Sequence, residues 1–106
     1  MATYDNQSDI KRKIEVNEKI KPPKLYKVIY LNDNVTTIEF VVNSLVEIFS
    51  YTPEAADKMA IKIHTDGSAC VVVLPYEIAE QKGVEVTILA RNAGFPLQVR
   101  LEIDNQ

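Results

Sequence analysis

The chain has 106 residues, 46% of them hydrophobic, a formal net charge of −3 and a single cysteine. That length allows one domain with a small core. The lone Cys70 excludes an intrachain disulfide and any cysteine-based zinc site and fits a reducing compartment, while the acidic balance argues against a nucleic-acid footprint. The polar N-terminus lacks the apolar stretch of a secretory signal, and no run approaches the ~20 apolar residues of a membrane span.

Residues 1–24 carry six Lys/Arg and four Asp/Glu, and their apolar residues, Ile10, Ile14, Val16 and Ile20, are scattered among charges. This composition predicts a disordered or weakly helical arm. The "KPPK" run, Lys21 to Lys24, closes it with a stiff extended spacer. The core domain is then expected over residues 25–106.

Tyr26 to Leu31 is β-branched and aromatic and reads as a strand. It stops at Asn32-Asp33-Asn34, which by itself is ordinary turn chemistry. Thr36 and Glu39 fit a capping box, with Thr36 as the helix cap. If Thr36 caps the helix, Asp33 is free of that task. Ile38, Val41, Val42, Leu45 and Phe49 follow at helical spacing, ending near Ser50. Thr52-Pro53-Glu54 opens a second helix by cap, first-turn proline and dipole. Its apolar stripe is Ala55 or Ala56, Met59, Ala60 and Ile63, and Asp66-Gly67 ends it.

Ala69 to Leu74 is nearly all Val and predicts a strand buried on both faces, with Cys70 as a small buried hydrophobe. Pro75 ends the strand. Glu77 to Ala93 predicts a third helix with Ile78, Lys82, Val86, Leu89, Ala90 and Ala93 along one side, weakened at Gly83 and stopped by Gly94. Leu97 to Ile103 alternates apolar and polar, as a strand with one wet face does. The order β-α-α-β-α-β implies one sheet with helices packed against it.

Catalytic signals are thin: one histidine, no nucleophile elbow, no phosphate loop and no metal-spaced cluster. A lone His64 late in a helix reads most simply as a dipole partner. If the first two helices form a hairpin, however, His64 returns toward Asn32 and Asp33. An amide oxygen, a carboxylate and a neutral imidazole are three acceptors, and an ammonium group has three donors. Ile38, Val41, Ala60 and Ile63 would lie beside them as an apolar floor. Such a corner suits a free α-amine that carries an apolar side chain.

The strings "PPKLYKVIYLNDNVTTIEFVV", "EAADKMAIKIHTDGSACV" and "AEQK…ARNAGFPLQVRLE" resemble the ClpS family, adaptors of bacterial and plastid Clp proteases, from about Pro22 to Glu102. The resemblance implies an α+β fold, a three-stranded antiparallel sheet packed against three helices, as also occurs in the ribosomal L7/L12 C-terminal domain. It implies a non-enzymatic adaptor that needs no cofactor. The adaptor would bind proteins beginning with Leu, Phe, Tyr or Trp and hand them to a AAA+ unfoldase of the ClpA or ClpC type, with the arm engaged by the unfoldase during delivery. The implied setting is cytoplasmic or plastid stroma, with a monomer and no nucleic acid or membrane partner. Matching positions assign Asn32, Asp33 and His64 to the α-amine and Ile38, Val41, Ala60, Ile63 and Leu97 to the side-chain pocket, with Asn34 and Thr36 at the cap and rim. The chain departs from the family at Asn34, which replaces an acidic residue, at Thr37, which replaces a proline, and at Ile38 and Ala60, which replace methionines. Gly83-Val84 also differs from the family's usual pair. The alternatives are an interaction domain of L7/L12-like fold and a divergent adaptor that does not bind N-degrons.

Overall fold

The computed structural model describes residues 21–105. The expected arm, residues 1–24, lies outside this range except for Lys21 to Lys24. The elements are β1 (Leu25–Leu31), α1 (Ile38–Phe49), α2 (Pro53–Asp66), β2 (Ser68–Pro75), α3 (Tyr76–Asn92) and β3 (Gln98–Ile103). The strands form one antiparallel sheet in the order β2-β1-β3. The predicted element order and sheet are therefore observed.

The core joins Val28 and Tyr30 of β1 to Phe40, Val41 and Leu45 of α1, to Ala56, Ala60 and Ile63 of α2, and to Ala79, Val86 and Ala90 of α3. Strand side chains alternate between faces, so Val28 and Tyr30 meet the helices. Ile29 points the other way and is buried without joining that cluster. The strand buried on both faces is thus the central β1. β2 is an edge strand whose Val73 is 38% exposed, and Cys70 is only half-buried. A Val-rich run signals apolarity but does not say whether the strand sits centrally or at an edge. The β1–β2 register shifts between Val28 and Ile29, which skips Val71, and the Tyr51 hydroxyl donates to the Val71 carbonyl at 2.6 Å.

One polar chain crosses the core. Ser44 Oγ donates to the Val41 carbonyl at 2.8 Å, so the Tyr30 hydroxyl, 2.8 Å from the same oxygen, is its donor. Both residues are fully buried, and burial pushes the Tyr30 phenol well above its ordinary pKa.

The α3 face differs from expectation. Its buried stripe is Ala79, Val86 and Ala90, whereas Ile78 is 45% exposed. Gly83 lies on that stripe, because a Cβ built there would stand 3.6 Å from Val99 Cγ1. Val86 and Ala90 are buried as expected, while Ala79 and Gly83 complete the contacting face in place of Ile78 and carry too little side chain to mark it in the sequence. The helix closes with a Schellman motif: Phe95 N–H donates to the Ala90 carbonyl and Gly94 N–H to the Arg91 carbonyl. Gly94 takes φ +83°, a backbone conformation that favours glycine.

Candidate functional site

β1 ends between two neighbours. Leu31 pairs with Ser68 on one side and with Gln98 on the other. One residue further on, Asn32 N–H donates to the Gly67 carbonyl at 2.9 Å. Gly67 is the left-handed C-cap of α2, and His64 lies in the last turn of that helix. The backbone therefore brings the Asn32-Asp33 corner, the turn that carries His64 and the Leu97-Gln98 segment to one end of the sheet. The α1–α2 hairpin does this: α2 packs against α1, and its C-cap Gly67 returns to Asn32, just ahead of α1. The Asn32 and His64 side chains are exposed.

Asp33 is more occupied than the sequence suggested. Its Oδ1 accepts from Val35 N–H at 2.8 Å and from Thr36 N–H at 2.6 Å, and its Oδ2 accepts from the Thr36 hydroxyl at 2.7 Å. This carboxylate ties the loop that leads into α1. Desolvation pushes its pKa up. The bonds from Thr36 and Val35, with the charge of Arg91, outweigh that and hold the carboxyl below its ordinary value.

The expected capping box is corrected. Thr37 is the N-cap, accepting from Phe40 N–H at 3.1 Å. Thr36 is engaged with Asp33 instead, and Glu39 falls at N2, one position short of the reciprocal bond. Of the expected cap and rim pair, Thr36 is therefore part of the Asp33 loop, and Asn34 is exposed at the tip of that loop.

Val41, Ala60, Ile63 and Leu97 share the core, all at 6% exposure or less, while Ile38 stands at the surface at 44%. A cleft of about 260 Å³ opens at the corner, lined by Leu31, Asn32, Asp33, Pro96 and Gln98. Neither His64 nor any of the five expected pocket residues lines it. The Asn32-Asp33 corner, the His64 turn and the start of β3 thus meet at one end of the sheet, and the open space beside Asn32 and Asp33 lies on the β3 side.

The sequence reading gave no role to Pro96, Gln98 or Arg91. Arg91 Nη1 donates to the Phe95 carbonyl at 3.0 Å and to the Leu97 carbonyl at 2.8 Å, which fixes the segment that delivers Leu97. Gly94-Phe95-Pro96 ahead of a strand was the available signal. An antiparallel neighbour of β1 must begin where β1 ends.

Among the described residues no group of three or more His, Cys, Asp or Glu could hold a metal ion, and no helix is long and apolar enough to cross a membrane.

Residues 21–100 match the family model described as the ATP-dependent Clp protease adaptor protein ClpS. The chain is 44% identical over 89 residues to the ATP-dependent Clp protease adapter protein ClpS of Nautilia profundicola, covering 84% of this chain and 92% of that one. It is 42% identical over 98 residues to the adapter protein ClpS 2 of Agrobacterium fabrum, covering 92% and 95%. A solved structure of Agrobacterium tumefaciens ClpS2 bound to L-phenylalaninamide superposes with a TM-score of 0.76 at 42% identity, covering 78% of this chain and all of that one.

Proposed function

The chain belongs to the ClpS family of Clp protease adaptors, and from that premise we propose that it binds the N-terminal residue of proteins destined for a Clp protease. It grips the free α-amine and the bulky apolar side chain of a first residue such as Leu, Phe, Tyr or Trp. Asn32 and His64 accept hydrogen bonds from the amine, and Asp33 contributes charge from its remaining lone pair. Ile38 borders the side chain above the floor of Val41, Ala60, Ile63 and Leu97. The observation that carries this reading is the Asn32 N–H to Gly67 carbonyl bond, which ties the Asn-Asp corner to the end of the His64 helix. The relative bound to L-phenylalaninamide supports it, since that ligand unites a free α-amine with an aromatic side chain.

The magnitudes require both halves of the site. Burying a Leu or Phe side chain is worth about 1.5–3 kcal/mol, and each hydrogen bond to the charged amine adds about 1.5–3 kcal/mol. Association costs at least about 4 kcal/mol. An internal Leu, which has no free amine, is left unbound, and micromolar affinity is the scale expected for an N-terminal one. Delivery to an unfoldase of the ClpA or ClpC type is assigned to residues 1–24.

The test is titration with a peptide beginning with Phe and with its N-acetylated twin, followed by fluorescence anisotropy. Acetylation removes the charge and the donors and is expected to abolish binding. Equal affinity for the two peptides overturns the reading.

A further inference from the structure

The cleft at the Asn-Asp corner does not end there. Pro96 and Gln98 also line a second opening of about 500 Å³, whose other walls are Val35, Arg91, Gly94 and Phe95. The two share a wall, so one trough runs from Asn32 and Asp33, past Pro96 and Gln98, to Arg91. Its charges are ordered, with a carboxylate at the corner and a guanidinium at the far end.

We infer that this trough carries the substrate chain beyond its first residue and selects an acidic side chain at the third or fourth position. The inference rests on the corner being the α-amine site. A chain that starts there on a positive charge leaves along the trough that Asn32 and Asp33 line. An extended chain advances about 3.3 Å per residue. Its second residue lies nearest the Asp33 carboxylate, where an acid is opposed. The residues after it reach Gln98 and Arg91.

Arg91 is built for such a role. Its guanidinium is held by the Phe95 and Leu97 carbonyls, both through Nη1. A guanidinium has five donors in one planar fork, so three remain beyond those two bonds. A preorganised fork loses little freedom on meeting a carboxylate. Gln98 is exposed at the first position of β3 and lines both openings. The lowered pKa of Asp33, to which Arg91 contributes, agrees with the two charges sharing one field.

The experiment compares Phe-Ala-Glu-Glu and Phe-Ala-Lys-Lys peptides, labelled at the C-terminus, each with an N-acetylated twin. The full chain is titrated at low salt and again near 0.5 M salt. The acidic peptide is expected to bind about two- to fivefold tighter at low salt, with the ratio falling toward one at high salt. Arg91→Gln is expected to erase the ratio and Arg91→Lys to keep it. Because Arg91 also positions Leu97, only the ratio between the peptides within each variant is read, so a general loss of affinity cancels. Gln98→Glu, at an exposed site, is expected to shift the ratio toward the basic peptide and serves if the Arg91 variants do not fold. Amine-dependent binding with a ratio of one, or a ratio unchanged in Arg91→Gln and Gln98→Glu, overturns the trough alone. Binding insensitive to acetylation overturns the amine site and the trough with it.

Discussion

α1 and α3 lie on the same sheet but are held to it differently. α1 enters through a loop tied by Asp33 and capped by Thr37, and it meets β1 through large side chains and a buried hydroxyl pair. α3 starts directly after Pro75 with no side-chain cap bond and rests on Ala79, Gly83, Val86 and Ala90. One helix is specified locally, by hydrogen bonds near its own sequence. The other is specified by closeness, because small residues let its backbone approach the strands. The Asn32-Asp33 corner sits at the entrance of the helix held by short-range hydrogen bonds.

The largest expected effect comes from closing the approach of α3. Ala90 is fully buried, and Ala90→Leu adds three carbons where none fit. Overpacking of this kind costs about 1–3 kcal/mol, occasionally more. A lowered denaturation midpoint with unchanged slope is the expected outcome. A neutral Ala90→Leu would mean that α3 is free to lift, and that close approach does not define it.

The polar chain beneath α1 sharpens the contrast. Ser44→Ala leaves the buried Tyr30 hydroxyl without its acceptor, at an expected cost of about 1–3 kcal/mol. Tyr30→Phe removes the donor and leaves Ser44 bonded to Val41, at about 1 kcal/mol. The double variant is expected to cost less than the sum of the two, because the unsatisfied group disappears. Strict additivity in a double-mutant cycle would show that the two hydroxyls do not depend on each other.

At the entrance of α1 the expected effect is smaller and depends on pH. The Asp33 pKa is lower in the folded chain than its ordinary value. Its contribution to stability is therefore fully present above the unfolded carboxylate value of about 3.9 and is lost as pH falls through the depressed folded value. Asp33→Asn keeps an acceptor for the two N–H groups but loses the charge. The carboxylate is largely open to solvent, so the cost at neutral pH is expected to stay below about 1 kcal/mol. The gap between wild type and variant should close below the folded pKa. A gap that persists at pH 2 would assign the effect to lost geometry rather than charge.

The sequence made the order of elements legible because each helix start and stop carried a local signal. Thr52-Pro53, Asp66-Gly67 and Gly94 all act where they were expected. The cap at α1 was misread by one position because two threonines stand together. Only tertiary geometry decides which one turns back to Asp33. The meeting of the Asn32-Asp33 corner with the His64 turn was legible, since a helical hairpin returns the chain to its start. The open side of the corner was not legible. Pro96 and Gln98 line it through strand pairing, and Arg91 holds the segment around them through carbonyl bonds, none of which leaves a periodic trace in the sequence.

The smallest prediction bears most directly on the difference between the two helices. Gly83 looked like a weak point, because glycine inside a helix costs about 1 kcal/mol against alanine. Yet it sits on the inner face of α3, and the Thr87 hydroxyl donates back to its carbonyl at 2.9 Å. Two accounts compete. If glycine is there because the approach is too close for any side chain, alanine must destabilise. If the space accepts a methyl group, alanine should stabilise by lowering the entropy of the unfolded chain and raising helix propensity. The distance decides between them: 3.6 Å from the added carbon to Val99 Cγ1 is ordinary contact. Gly83→Ala is therefore expected to raise stability by about 0.5–1 kcal/mol, read as a higher midpoint in urea. Destabilisation would show that α3 lies closer to β3 in solution than this distance allows, and that its small-residue face is packed to its limit at Gly83 as well as at Ala90.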